Sequence, residues 1–170
     1  DALPISNEPV GPASEKFFPY LSGERTPLND AHIRAGFSGL GQTSNLAKLT
    51  QCVMEGVSFA LRDCLEAIRK TNASPNSLLA IGGGSVSQFW LQTISNTLNI
   101  ELEKPKSGEF GAALGAARLA ISSIIKEPIE NIMSKPEIEK KIIPDQRYVN
   151  LYQTAYEKFT QGHSNLRGLQ

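Results

Sequence analysis

The residues best suited to chemistry are three consecutive glycines, Gly82, Gly83 and Gly84, in the string IGGGSVSQFW that begins at Ile81. Glycine has no β-carbon, so such a corner can turn with positive φ and let a ligand touch main-chain atoms directly. Before the corner, Ser77 to Ile81 (SLLAI) is a short apolar run of the kind that forms a strand buried on both faces. After it, Val86, Phe89, Trp90, Ile94 and Leu98 recur at spacings of three and four, which predicts a helix over Ser85 to Asn99 with Ser85 or Ser87 as N-cap. The free N–H groups and positive dipole end of that helix would face the glycines and favour an anion. Ligands of open α/β sheets bind at the carboxyl ends of strands, where this loop lies. The string has no GK[ST] and is not GxGxxG. The residues alone therefore leave two readings, a phosphate cradle or a tight turn without a ligand.

Other chemistry is scarce. There is no HExxH, paired CxxC, GxSxG or carboxylate cluster at metal-ligand spacing. His32 and His163 are isolated in sequence. Glu24, Arg25, Asp30, Asp63 and Glu109 sit beside turns or helix starts and read as solvated surface charges. No catalytic residue and no metal ligand is assigned.

Around the corner, the surest element is a long amphipathic helix from Asn45 to Lys70. Leu46, Leu49, Val53, Val57, Ala60, Leu61, Cys64, Leu65 and Ile68 recur every three or four residues, with Ser44 as the expected N-cap. Gly56 inside it costs about 1 kcal/mol against alanine, so something is expected to pack closely there. Lys16 to Ala35 mixes aromatics, a polar cluster and two prolines and reads as a long structured loop. Gly36 to Leu40 (GFSGL) and Ile100 to Glu103 (IELE) read as short strands, and Lys104 to Glu109 as a turn. From Gly111, GAALGAARLAISSII reads as a helix whose first turns are nearly all glycine and alanine. That face permits close approach to a sheet or a planar ligand, or plain tight packing. Lys126 onward is a charged connection leading to a last helix near Asp145 to Leu166, with Tyr148, Leu151, Tyr152, Ala155, Tyr156 and Phe159 as its core side.

The 170 residues, 40% hydrophobic, fit one domain with a real core. Seventeen basic residues balance seventeen acidic ones, leaving no field to hold nucleic acid or an anionic membrane. Cys52 and Cys64 lie about 18 Å apart along one helix, too far for a disulfide, and read as core thiols in a reducing compartment. The absence of a long apolar run or signal pattern makes a cytoplasmic protein, or a piece of one, the expectation.

Together, YLSGERTPLND from Tyr20, GFSGL from Gly36, EGVSFALRD from Glu55, IGGGSVSQFWLQ from Ile81, GAALGAARLA from Gly111 and RYVNLYQTAYEKF from Arg147 closely resemble the C-terminal region of the FGGY carbohydrate kinases, in particular their xylulokinase branch. The resemblance implies an α/β fold, part of an actin-like ATPase of the ribonuclease H type, with this chain as most of the second lobe of a sugar kinase; the alternatives are another kinase of the family, for gluconate, glycerol or ribulose, or a non-catalytic actin-like nucleotide-binding module. It divides the chain into a loop-rich lead-in (1–35), an α/β core (36–126) and a C-terminal extension with a final helix (127–170). It implies ATP with Mg2+, the metal held mainly by parts outside this chain, and a ketopentose acceptor. Carried over residue by residue, Gly82, Gly83, Gly84, Ser85 and Gln88 form the nucleotide set, with Gln88 on the adenine side where Asn or Glu is common. The family's catalytic aspartate has no counterpart here, so this segment alone is expected to phosphorylate nothing. The strand Ser77 to Ile81 normally pairs with one from earlier sequence, so a missing N-terminal lobe, a second copy or a rearranged edge is expected to cover it.

Overall fold

The computed structural model describes residues 11–106 and 111–167. Two short strands, β1 (Lys16–Phe18) and β2 (Gly36–Ser38), pair antiparallel with Phe17 opposite Phe37. Then come α1 (Leu46–Arg69), β3 (Ser77–Leu79), a 3-10 turn (Gly83–Val86), α2 (Gln88–Leu98) and β4 (Glu101–Pro105). α3 (Gly111–Ile124), α4 (Ile129–Ile132), β5 (Ile138–Ile142) and α5 (Gln146–Arg167) complete the chain. The second sheet has the order β3-β4-β5, parallel between β3 and β4 and antiparallel between β4 and β5.

α1 is the organising element. Asn45, not Ser44, is its N-cap: Asn45 Oδ1 accepts from Lys48 N at 3.0 Å, while Ser44 Oγ donates to Glu15 at 2.6 Å. One face of α1 buries Cys52, Glu55, Gly56, Phe59 and Asp63. A β-carbon on Gly56 would stand 2.1 Å from the carbonyl oxygen of Phe17, so the glycine exists to let β1 cross the helix. From there Phe18, Tyr20, Ile33, Phe59, Tyr152, Ala155 and Phe159 form one core cluster that joins the lead-in, α1 and α5, with the Phe18 and Phe159 rings stacked at 5.0 Å. Leu65, Leu91, Leu98, Ile100, Leu102 and Ile142 form a second, between α1, α2 and the β3-β4-β5 sheet.

Several expectations are corrected. The stretch Lys16 to Ala35 contains a strand, β1, and the charged connection before the last helix contains another, β5. β5 was hidden because its Lys and Glu side chains are matched across the ladder, as in Lys104–Glu139 at 3.2 Å and Lys141–Glu101 at 2.7 Å, instead of alternating with apolar ones. Lys104 and Pro105 extend β4, and the rest of the expected turn, including Glu109, lies largely outside the described residues. Leu151 is 50% exposed and does not join the core side of α5. Asp63, read as a surface charge, is 5% exposed. Among the described residues no helix is long and apolar enough to cross a membrane.

Candidate functional site

β3 delivers the chain to the glycine corner. Ala80 N donates to Glu103 O at 2.9 Å, the last rung toward β4, and Ile81 beyond it is 57% exposed. Gly82 then adopts φ +87°, a conformation that favours glycine. The next residues wind into the 3-10 turn, closed by Ser85 N donating to Gly82 O at 3.0 Å. Ser85 is buried, and its hydroxyl also donates to Gly82 O at 2.7 Å, so its side chain ties the corner together from inside. Ser87 caps α2, its Oγ accepting from Trp90 N at 3.2 Å. The glycines thus feed a 3-10 turn, and α2 starts later than the pattern suggested.

The three glycines have different reasons to be glycine. Gly82 needs its backbone angle. A β-carbon on Gly84 would stand 2.6 Å from Cζ3 of Trp90, whose indole is pinned by Nε1 donating to Met54 O at 3.1 Å and Ser58 Oγ at 3.3 Å. Gly83 has neither reason: its φ lies outside the positive region, and a β-carbon there would meet no described atom within 4 Å. Its bare backbone faces open space, and Gly111 of α3 abuts the side chain of Ile81 just before the corner. Gln88 is exposed at the start of α2, and its Oε1 accepts from Lys140 Nζ on β5 at 2.9 Å. The structure therefore keeps Gly82, Gly83 and Gly84 at one corner, turns the Ser85 side chain inward and turns that of Gln88 toward Lys140 on β5.

Next to the corner is a cavity of about 590 Å³ walled by α1 (Val57, Leu61), β3 (Leu78, Leu79) and α2 (Trp90, Ile94). Among the described residues its walls carry no charged side chain, so a polyphosphate would find no ionic partner among them. It lies along the free edge of β3, and the exposed Leu79 stands at its mouth.

Two buried polar clusters lie elsewhere. Glu55, 1% exposed, accepts from Ala13 N at 3.0 and 3.1 Å and from Gln51 Nε2 at 2.8 Å, with Tyr152 OH at 3.3 Å. Burial lifts its carboxyl to about 7 despite these bonds. Asp63 accepts from Tyr156 OH at 2.6 Å, and its other oxygen is 4.0 Å from His163 Nε2, which in turn meets Tyr20 OH at 2.8 Å. Burial raises the Asp63 carboxyl and burial raises the Tyr156 hydroxyl. These groups fasten α5 and the lead-in to α1. The signal for them was present: positions 52, 56, 59 and 63 share one face of a helix, and two of the four are too small or too polar for a core stripe. Among the described residues no group of three or more His, Cys, Asp or Glu is placed to hold a metal.

Residues 7–124 match the family model described as FGGY family of carbohydrate kinases, C-terminal domain. The chain is 34% identical to a xylulose kinase of Escherichia coli (strain K12) over 88% of its length and 31% of the relative's. It is 35% identical to a xylulose kinase of Klebsiella pneumoniae over 99% of its length and 34% of the relative's. Among solved structures, a xyloylose kinase from Brucella ovis superposes with a TM-score of 0.89 at 41% identity, covering 97% of this chain and 34% of that one. The chain spans about a third of the length of the curated relatives it matches.

Proposed function

Because the chain belongs to the FGGY family of carbohydrate kinases, we propose that it is the nucleotide-binding part of an ATP-dependent xylulose kinase, working only together with the rest of that enzyme. The fold is α/β, part of the actin-like ATPase architecture of its structural neighbours. The reaction is transfer of the γ-phosphoryl group of ATP to the primary hydroxyl of D-xylulose, giving ADP and D-xylulose 5-phosphate. The hydroxyl gives up its proton to a base outside this chain. Catalysis of this kind rests on positioning and charge stabilisation, and Mg2+, held mainly by other parts of the enzyme, would neutralise the phosphates.

One observation carries the nucleotide assignment: Gly83 keeps a β-carbon's worth of room open although neither packing nor backbone angle demands it. A ligand approaching the main chain of Gly82, Gly83 and Gly84 supplies the missing reason. Gln88 stands on the adenine side, while Ser85 acts by holding the turn. The xylulose reading is preferred to gluconate or glycerol because the Brucella ovis xyloylose kinase matches at 41% identity and a TM-score of 0.89, against 28% and 0.73 for a gluconate kinase and 17% and 0.70 for a glycerol kinase.

In this reading residues 1–35 are a lead-in, 36–126 the α/β core and 127–170 a C-terminal extension. The enzyme is cytoplasmic. The free edge of β3 and the apolar cavity beside it are covered by the preceding lobe or, in the isolated 170-residue chain, by a second copy. Two measurements test the whole: restored xylulose-dependent ADP release when this chain is recombined with the preceding lobe, and light scattering of the isolated chain. Absence of any ADP release from a folded recombined enzyme would sink the kinase assignment, and a monomer at high concentration would sink the self-association.

A further inference from the structure

We propose that Lys140 is a positioning residue that fixes the carboxamide of Gln88 so that its N–H groups, not its oxygen, are presented to the nucleobase. The inference rests on the nucleotide reading of the glycine corner. It starts from donor inventory: an ammonium has three donors and no acceptor, so the Gln88 atom facing Lys140 Nζ at 2.9 Å must be the oxygen. Both amide N–H groups are then left for the other side.

The strand that carries Lys140 is firmly seated. Gln92, four residues after Gln88 on α2, donates from Nε2 to Ile143 O at 2.9 Å. Ser95 Oγ donates to Ile142 O at 3.2 Å, and Asn96 Oδ1 accepts from Asp145 N at 2.7 Å. Ile142 itself is 2% exposed. Gln88, Gln92 and Ser95 therefore form one edge of α2 turned toward β5. The other lysines of β4 and β5 are matched to carboxylates: Lys104 to Glu139, and Lys141 to Glu101 and Glu103. Among the described residues Lys140 has no carboxylate partner, and its ammonium goes to the amide of Gln88 instead. Lys140 also lies beyond residues 7–124, the part matched by the family model.

The consequence is a rule for base selection. An amide presenting N–H groups bonds to acceptors, the ring nitrogens of any purine or the keto oxygen of hypoxanthine, and does not read the amino group of adenine. The test uses the complete enzyme and calorimetric dissociation constants for ADP and inosine diphosphate. Lys140→Glu replaces donors by acceptors, draws the Gln88 N–H groups toward itself and turns its oxygen to the base. Preference for ADP over inosine diphosphate is expected to rise about three- to tenfold, the effect of one neutral hydrogen bond. Lys140→Arg, also donor-only, is expected to keep the wild-type ratio. If Lys140→Glu changes both constants by the same factor, or neither, Lys140 acts by charge or not at all and the proposal is overturned. Gly83→Val separates the two levels. If it leaves ADP affinity intact, the nucleotide reading fails and this proposal with it. If it weakens ADP while Lys140→Glu leaves the ratio fixed, only the role of Lys140 falls.

Discussion

Replacing Gly83 by valine separates ligand binding from folding, because the fold gives that glycine nothing to do. Its φ is outside the positive region and no described atom lies within 4 Å of the position a β-carbon would take. Folding stability should therefore change by less than about 1 kcal/mol, the range of entropy effects at unstrained glycines. Binding should suffer much more. The branched side chain would occupy the space through which phosphate oxygens reach main-chain N–H groups, and losing one charge-assisted hydrogen bond costs about 1.5–3 kcal/mol, or roughly tenfold to a hundredfold in ADP affinity. Gly84→Ala should do the reverse. Its β-carbon meets the Trp90 ring at 2.6 Å, and that ring cannot retreat without breaking its bonds to Met54 O and Ser58 Oγ. Overpacking of this kind costs about 1–3 kcal/mol. The assay is titration calorimetry with MgADP beside thermal unfolding, on the complete enzyme. An unchanged dissociation constant in a folded Gly83→Val enzyme would refute the reasoning, since the open space would then serve no ligand.

Gly56→Ala should destabilise by about 2 kcal/mol or more, because the new methyl group meets a backbone oxygen that can move only with β1; denaturant unfolding measures it. Glu55 contributes a pH dependence of definite sign. Its folded value of about 7 exceeds the ordinary 4.5, so the stability it lends is full below pH 4.5 and lost as pH rises through 7. The expected loss is about 3 kcal/mol, and Glu55→Gln should flatten the unfolding free energy across that window. Tyr156→Phe removes the donor on Asp63 Oδ1 and should cost about 1–3 kcal/mol in unfolding free energy. A Tyr156→Phe protein as stable as the parent would mean that water replaces the hydroxyl.

The glycine corner, α1, α2 and the last helix were legible because each is local: a strand ending in glycines, or a period of three to four. What was not legible depends on partners distant in sequence. β5 becomes a strand only when its lysines meet the carboxylates of β4, and Lys140 reaches Gln88 across 52 positions. α1 gives the sharper lesson. Its apolar stripe reads as the core face, yet Leu46 is 69% exposed, Leu61 43% and Ile68 48%, while another face buries Glu55, Gly56 and Asp63. The period located a helix correctly but gave only part of its interior: Leu65 of that stripe is buried in the second core cluster, whereas Leu61 and Ile68 border the cavity along β3. The same holds for α3, which buries no residue although its composition suggested tight packing. The small residues of that helix and the glycine corner could be paired only once Gly111 was seen against Ile81.

Trp90 is the single tryptophan of the chain. Wedged between Gly84 and the carbonyl of Met54, its indole is a spacer of fixed width, so the corner cannot shift relative to the long helix without altering the light it emits. The polypeptide thereby carries an optical gauge at the place where the proposed ligand would arrive, and stopped-flow emission could time that arrival without any added dye.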